Sequence, residues 1–343
     1  MLWLSGFNGF QQLNNVAENN SIFENRIFIH KFVKCKEESC TDVDMNWSNI
    51  LITKGNNAIF SGFLNGKPNQ SLILETPDRQ DIIQGLCNRN KCLFVTSQGK
   101  CWQYNLENLA WKEINNLYLP IDPNLSNKLV KVAVGEVVNA VLSDEATVWN
   151  MGNKLSPSEI KVIDIACGKE HGILLTDNGD TYTWGGGSRG QLGNGILETS
   201  EELCEVNLLS GMNVMRIAAG GWHNAVITKD GDMYTWGWNK QGQLGHPTLD
   251  GNSKDGVAVL TEPRVVDFPD SLNVHILQVS CGASHTVVLL ENGEIWGCGW
   301  SKWGQLGNIK TTYLMTKLEI PPSVSIKRVI CGAWNTALIT DNT

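Results

Sequence analysis

The chain has 343 residues, of which 42% are hydrophobic and only 18% charged, with a net charge of −8. Such a chain can bury a large core and is not disordered; it has no Lys/Arg run, which argues against direct nucleic-acid binding. Gly (34) and Trp (13) are abundant, as in many short strands joined by tight turns.

Residues 217–245 (IAAGGWHNAVITKDGDMYTWGWNKQGQLG) serve as the ruler for the rest of the chain. Asp230-Gly231 lies between two alternating, β-branched stretches, which is a strong hairpin signal because both turn residues need positive φ. In chain order, residues 4–13 (LSGFNGFQQL) match 235–244, with Gly6 on Gly237 and Gln12 on Gln243. Gln11 stands where Gly242 does, and Gln adopts left-handed backbone poorly, so that loop is expected to be remodelled. Residues 45–62 align at an offset of 175, placing Trp47 on Trp222; residues 87–104 align at 132, and residues 132–152 at 85. Residues 165–193 and 279–307 are full copies, with hairpins at Asn178-Gly179 and Asn292-Gly293. An insertion at 247–275 follows the GQLG of the sixth unit. Residues 329–343 align at 112, with Trp334 on Trp222, and stop with Thr343 on the hairpin Gly231. Met1 falls on position 232, so the two ends complete one repeat cut at a hairpin turn. A repeat of about 49 residues, counted seven times, predicts one all-β domain over 1–343. The expected fold is a seven-bladed β-propeller closed by pairing of the N- and C-terminal strands in one blade, without exposed sheet edges.

The Trp-Gly-x-Gly stretch followed by GQLG resembles the regulator-of-chromosome-condensation repeat family. Three units carry it strongly, and the likeness covers the whole chain if the degenerate units count. The SGFNGFQQL start, GGWHN at 220–224, WGWNKQGQLG at 236–245 and CGAWNT at 331–336 are similar to one branch. That branch is the small, nearly all-propeller animal member that partners a jumonji-type iron/2-oxoglutarate oxygenase. The resemblance implies a non-catalytic, monomeric scaffold with a chromatin-linked role through such a partner. The alternative is the founding member's activity, guanine-nucleotide exchange on a small GTPase; this chain lacks that member's basic tail. The plant ultraviolet sensor of the family uses Gly-Trp-Arg-His, whereas here Lys169, Gly221, Ala283 and Ala333 follow the Gly.

Two further features could invite a catalytic or cofactor reading. His171, His223 and His285 recur one per blade, and each is expected to be satisfied inside its own blade rather than to bind metal. The Gly-rich loops lead into strand rather than a helix, so they do not read as phosphate cradles. No cofactor is expected. The ten cysteines form no Cys-x-x-Cys pair and read as buried strand thiols. With no signal peptide and no apolar run of membrane length, nucleus and cytosol are expected.

Two residues after the turn Gly, the register places Trp334, Trp47, Asn90, Val137, Glu170, Trp222 and Ser284 on one face. Trp47, Glu170, Trp222 and Trp334 are the candidate partner-binding residues, with the 247–275 insertion beside them. Trp184, Trp236, Trp238, Trp296 and Trp300 are expected in the core.

Overall fold

Each Asx-Gly pair makes a hairpin, with positive φ at the glycine alone and not, as expected, at both turn residues. Gly179 and Gly231 take φ of +84° and +89°, and Leu175 pairs with Thr181 and Ile227 with Met233 across the turns. A strand before and a strand after each hairpin complete a four-stranded antiparallel sheet. The computed structural model describes residues 1–18, 26–37, 39–114, 128–150, 153–157, 159–246, 258–269, 275–321 and 324–341. Among these residues there are seven such sheets.

Blade one joins Leu2–Phe7 and Phe28–Lys34 to Ile326–Cys331 and Asn335–Thr340; blades two to seven occupy 42–75, 82–113, 129–154, 162–205, 214–265 and 276–317. The first strand of each blade contacts the first strand of the next all the way round, so these strands line the axis. For blade one that strand is Ile326–Cys331.

The terminal halves of blade one meet in the expected register. Leu2 pairs with Ile339 and Gly6 with Asn335, the counterparts of Met233–Ile227 and Gly237–His223 in blade six. The Met1 amine donates to the Thr340 carbonyl at 2.8 Å, and the Thr340 N–H donates to the Met1 carbonyl at 2.9 Å. Thr343, placed in the turn by the sequence, lies outside the described residues. So do 247–257 and 270–274 of the insertion; within it, Val259–Val265 is the outer strand of blade six.

The described buried apolar side chains fall into seven clusters, one at each junction between blades. The core is therefore a set of radial layers, and the two ends of the chain supply parts of two of them. Leu2 and Leu4 pack with Ile50 and Ile52 of blade two, and Leu338 packs with Val287 and Leu289 of blade seven.

Polar bonds cross the same junctions and correct one expectation. The three histidines do not stay within their own blades; each donates from Nε2 into the following blade. His171 reaches Asn224 Oδ1 at 2.9 Å, His223 reaches Thr286 Oγ1 at 2.9 Å, and His285 reaches Thr336 Oγ1 at 3.2 Å. The direction is fixed chemically. Asn224 Oδ1 can only accept, and the two threonine hydroxyls already donate to the Gln243 and Gln305 carbonyls at 2.7 Å. The blades come this close because the turns carry glycine: a Cβ on Gly220 would stand 2.2 Å from His223 Cε1 and 2.5 Å from the Gly282 carbonyl oxygen.

The GQLG glutamines fold their own loops. Gln191, Gln243 and Gln305 accept through Oε1 from the N–H two residues earlier, and Gln12 does the same for Phe10. The loop containing Gln11 is thus retained, not remodelled. Gln11 itself takes φ +55°, and its N–H bonds to the Asn8 carbonyl as that of Gly242 does to Asn239.

Candidate protein-docking face

A three-residue turn ends every axial strand. Backbone bonds lace these turns together: Lys169 N–H to Gly221, Gly221 to Gly282, Ala283 to Ala333 and Ala333 to Met45. The third turn residue points its side chain onto the end face of the ring, and its carbonyl accepts from the residue that follows the third-strand glycine. Trp238 N–H bonds to the Trp222 carbonyl, Phe7 to Trp334, Trp300 to Ser284 and Phe63 to Ser48. The backbone bond sets two side chains of each blade next to each other. Trp222 and Trp238 meet edge-on at 5.2 Å, and Trp334 and Phe7 at 5.1 Å.

Glu170, Trp222 and Trp334 occupy the expected turn position. Trp47 does not: Asn46 N–H bonds to Asn49 as Gly220 does to His223, so Ser48 is the counterpart of Trp222 and Trp47 lies one residue earlier. The cause is the blade-two hairpin, where Lys54 pairs with Asn57 around only Gly55 and Asn56, one residue fewer than in blade six. Trp47 nonetheless reaches the same face and is 38% exposed.

The aromatic side chains form a connected row across blades seven, one and two. Trp300 meets Trp334 at 6.0 Å, Phe7 meets Phe10 at 6.1 Å, and Phe10 meets Trp47 at 4.9 Å. Trp303 bridges Phe7 and Phe28, the latter 37% exposed. A second cluster lies over blades five and six. The Lys169 Nζ is 4.7 Å, and the Arg189 guanidinium 4.8 Å, from the Trp222 ring. Glu136 and Glu170 pair with these cations at 3.1 and 3.4 Å. Trp184, Trp236 and Trp296 are buried core as expected. Trp238 and Trp300 are not; they stand half-buried on this face because they follow the third-strand glycine.

Phe7, Phe10, Phe63 and Trp303 also belong to the row, beyond the residues expected from the sequence. The signal was a Gly-aromatic pair closing the third strand: Gly6-Phe7, Gly62-Phe63, Gly237-Trp238 and Gly299-Trp300. Burial holds His171, His223 and His285 down at about 4, 3 and 4, so they are neutral. Burial pushes the thiols of Cys35, Cys87 and Cys281 well up, which keeps them unreactive. Among the described residues no three His, Cys, Asp or Glu side chains converge on a metal position, and no helix is long and apolar enough to cross a membrane.

Comparison with known proteins gives the same architecture. The family model described as the regulator of chromosome condensation (RCC1) repeat matches residues 178–227, 230–289 and 292–339; a second model of that repeat matches 162–191, 216–243 and 276–305. Together they cover 162–339, just over half of the chain. The human RCC1 domain-containing protein 1 is 34% identical over an alignment of 212 positions that covers 52% of this chain and 56% of that protein. The Arabidopsis thaliana ultraviolet-B receptor UVR8 is 32% identical over 185 residues, 53% of this chain and 40% of the receptor. The aligned region thus spans about half the length of these relatives. The crystal structure of Saccharomyces cerevisiae Prp20p superposes with a TM-score of 0.80 at 16% identity, covering 100% of this chain and 91% of that one. The chain belongs to the regulator of chromosome condensation repeat family, as a seven-bladed propeller.

Proposed function

We propose that this propeller is a non-catalytic scaffold that holds a protein partner on its tryptophan face. The observation that supports this is the aromatic row over blades seven, one and two, with Trp47 and Phe28 open to solvent. Clustered aromatics anchor interfaces because they bring much area at little conformational cost. Trp222, braced by Lys169, Arg189 and Glu170, is a second anchor. The finer reading rests on the family likeness of the quoted motifs. In it the partner is a jumonji-type iron/2-oxoglutarate oxygenase, and the chain serves as its regulatory subunit, chromatin-linked, in nucleus and cytosol.

The test is titration of purified jumonji-type oxygenases against the wild-type chain and the Trp222→Ala/Trp334→Ala variant. Binding to the wild type, lost in a variant that melts within a few degrees of it, supports the proposal. A variant that unfolds would make these residues core, and unchanged binding would move the interface elsewhere. The competing reading, nucleotide exchange, draws on the likeness to Prp20p, whose structure is described together with its binding to Gsp1p and histones. Release of labelled nucleotide from a panel of small GTPases would favour it over the scaffold.

A further inference from the structure

The end of the ring opposite the tryptophans carries a second pattern, one residue per blade. Each axial strand except that of blade two begins with a β-bulge, in which one extra residue breaks the register: Ile82/Gln84, Leu129/Lys131, Val162/Asp164, Val214/Arg216, Ile276/Gln278 and Ile326/Arg328. The extra residue escapes the junction between blades. In blades three to seven it is apolar and about half exposed: Ile83 49%, Val130 47%, Ile163 56%, Met215 49% and Leu277 45%. An axial strand is covered on its flanks by neighbouring blades and on its outer side by its own second strand. Exposed side chains at the strand start therefore stand on the end of the ring around the channel mouth, where Leu277 also lines a cavity with Asn292, Lys317 and Val324. Lys327 and Thr41, exposed at the same position in blades one and two, complete the circle with polar groups.

One residue further along, the axial strands carry a polar belt. Lys131 reaches Asp164 of the next blade, and Arg328 reaches Asp42 at 3.0 Å. Gln84 and Gln278 clamp the backbone of Val132 and Val329 in the blades that follow them. Arg216 differs. It is exposed, its guanidinium bonds only to the carbonyl of Met215 beside it, and among the described residues no carboxylate reaches it. The belt thus presents one uncompensated cation directly behind the apolar arc.

We propose that this mouth is a second docking site, whose occupant is a partner's peptide segment with an apolar side chain next to an acidic one. The apolar group covers the arc over blades three to seven, and the carboxylate pairs with Arg216. Scattered apolar residues on a surface need no explanation, but five at the same position of consecutive blades ring one opening. The lone arginine gives that opening a charge preference. The site is separate from the tryptophan face and does not depend on it.

The test is selection of displayed random short peptides on the full chain, followed by affinity measurement of synthetic winners. Winners that pair Asp or Glu with an aliphatic or aromatic residue support the proposal, if Ile163→Asp/Met215→Asp weakens them about tenfold or more. Arg216→Gln should weaken them less and remove most of their salt dependence, while Trp222→Ala should leave them unchanged. Should the aspartate variant not fold, Ile163→Ser/Met215→Ser at the same exposed positions takes its place. Winners without an acidic residue, winners competed at the tryptophan face, or a wild-type dimer that the mouth variants dissolve would each overturn the proposal.

Discussion

The inter-blade histidines make the ring sensitive to acid in a way that can be calculated. An exposed histidine in the unfolded chain has a pKa of about 6.5, whereas burial holds His171, His223 and His285 at about 4, 3 and 4. A depressed folded pKa contributes stability that is present above the unfolded value and lost as the pH falls below it. At pH 5 each histidine forfeits about 2 kcal/mol relative to pH 7.5, at about 1.4 kcal/mol per pH unit. The three together forfeit about 6 kcal/mol. His246, also held at about 4 by burial and by Arg264, acts in the same direction. Asp44 opposes them: burial raises its carboxyl to about 6, so protonation favours the folded state by about 1 kcal/mol over that range. The three bridging histidines less Asp44 leave a loss of about 5 kcal/mol, to which His246 adds, and this rivals the whole stability of an ordinary domain. Urea unfolding at pH 7.5 and pH 5 measures it, and His223→Gln keeps an N–H donor for Thr286 while removing one titrating ring. The variant should lose about 2 kcal/mol of the pH dependence. An unchanged difference in the variant, or a flat wild-type profile, would refute the assignment of neutral, bridging histidines.

Five further outcomes are expected. Gln11 is held in left-handed backbone, so Gln11→Gly should raise stability by about 0.5–1 kcal/mol. Gly242→Ala at the same loop position should lower it, because a Cβ there stands 2.7 Å from both the Thr312 carbonyl oxygen and Tyr313 Cα; thermal melts of both variants check this. Leu4→Ala empties part of the layer between blades one and two and should cost about 2–5 kcal/mol, and removal of residues 1–13 should prevent cooperative melting altogether. Native alkylation at pH 8 should leave Cys35, Cys87 and Cys281 unlabelled, since burial raises their thiols; mass spectrometry after denaturation reads the difference.

The ring could be read from the sequence because hairpins and turns impose fixed spacing on Gly, Asp and Asn. Three strong repeats then calibrated the four weaker ones, down to the pairing of Leu2 with Ile339. Trp47 was misplaced because a hairpin shortened by one residue leaves no mark when aligned at a constant offset. The histidine bonds were invisible for another reason. Which blade a side chain reaches depends on how closely two turns approach, and that is set by glycines in both. Trp238 and Trp300 looked like core because they continue strand-like runs, yet Trp238 is the last residue of its strand and Trp300 lies just beyond one, so both end on the face. The apolar arc repeats five residues before every turn position, from Ile83 ahead of Asn88 to Leu277 ahead of Gly282. It was passed over because a lone apolar residue at a strand start reads as ordinary β-structure.

The bonds between Met1 and Thr340 leave the chain ends side by side in the middle of a blade, not at its rim. A short linker between them would turn this interrupted sheet into an ordinary continuous one. The backbone could then be reopened at the Asp230-Gly231 hairpin, giving a circular permutant whose stitched blade is six and whose surfaces are unchanged. Parent and permutant would share every native contact and differ only in which blade waits for the end of synthesis. Comparing their refolding rates would separate the contribution of chain order from that of the finished architecture.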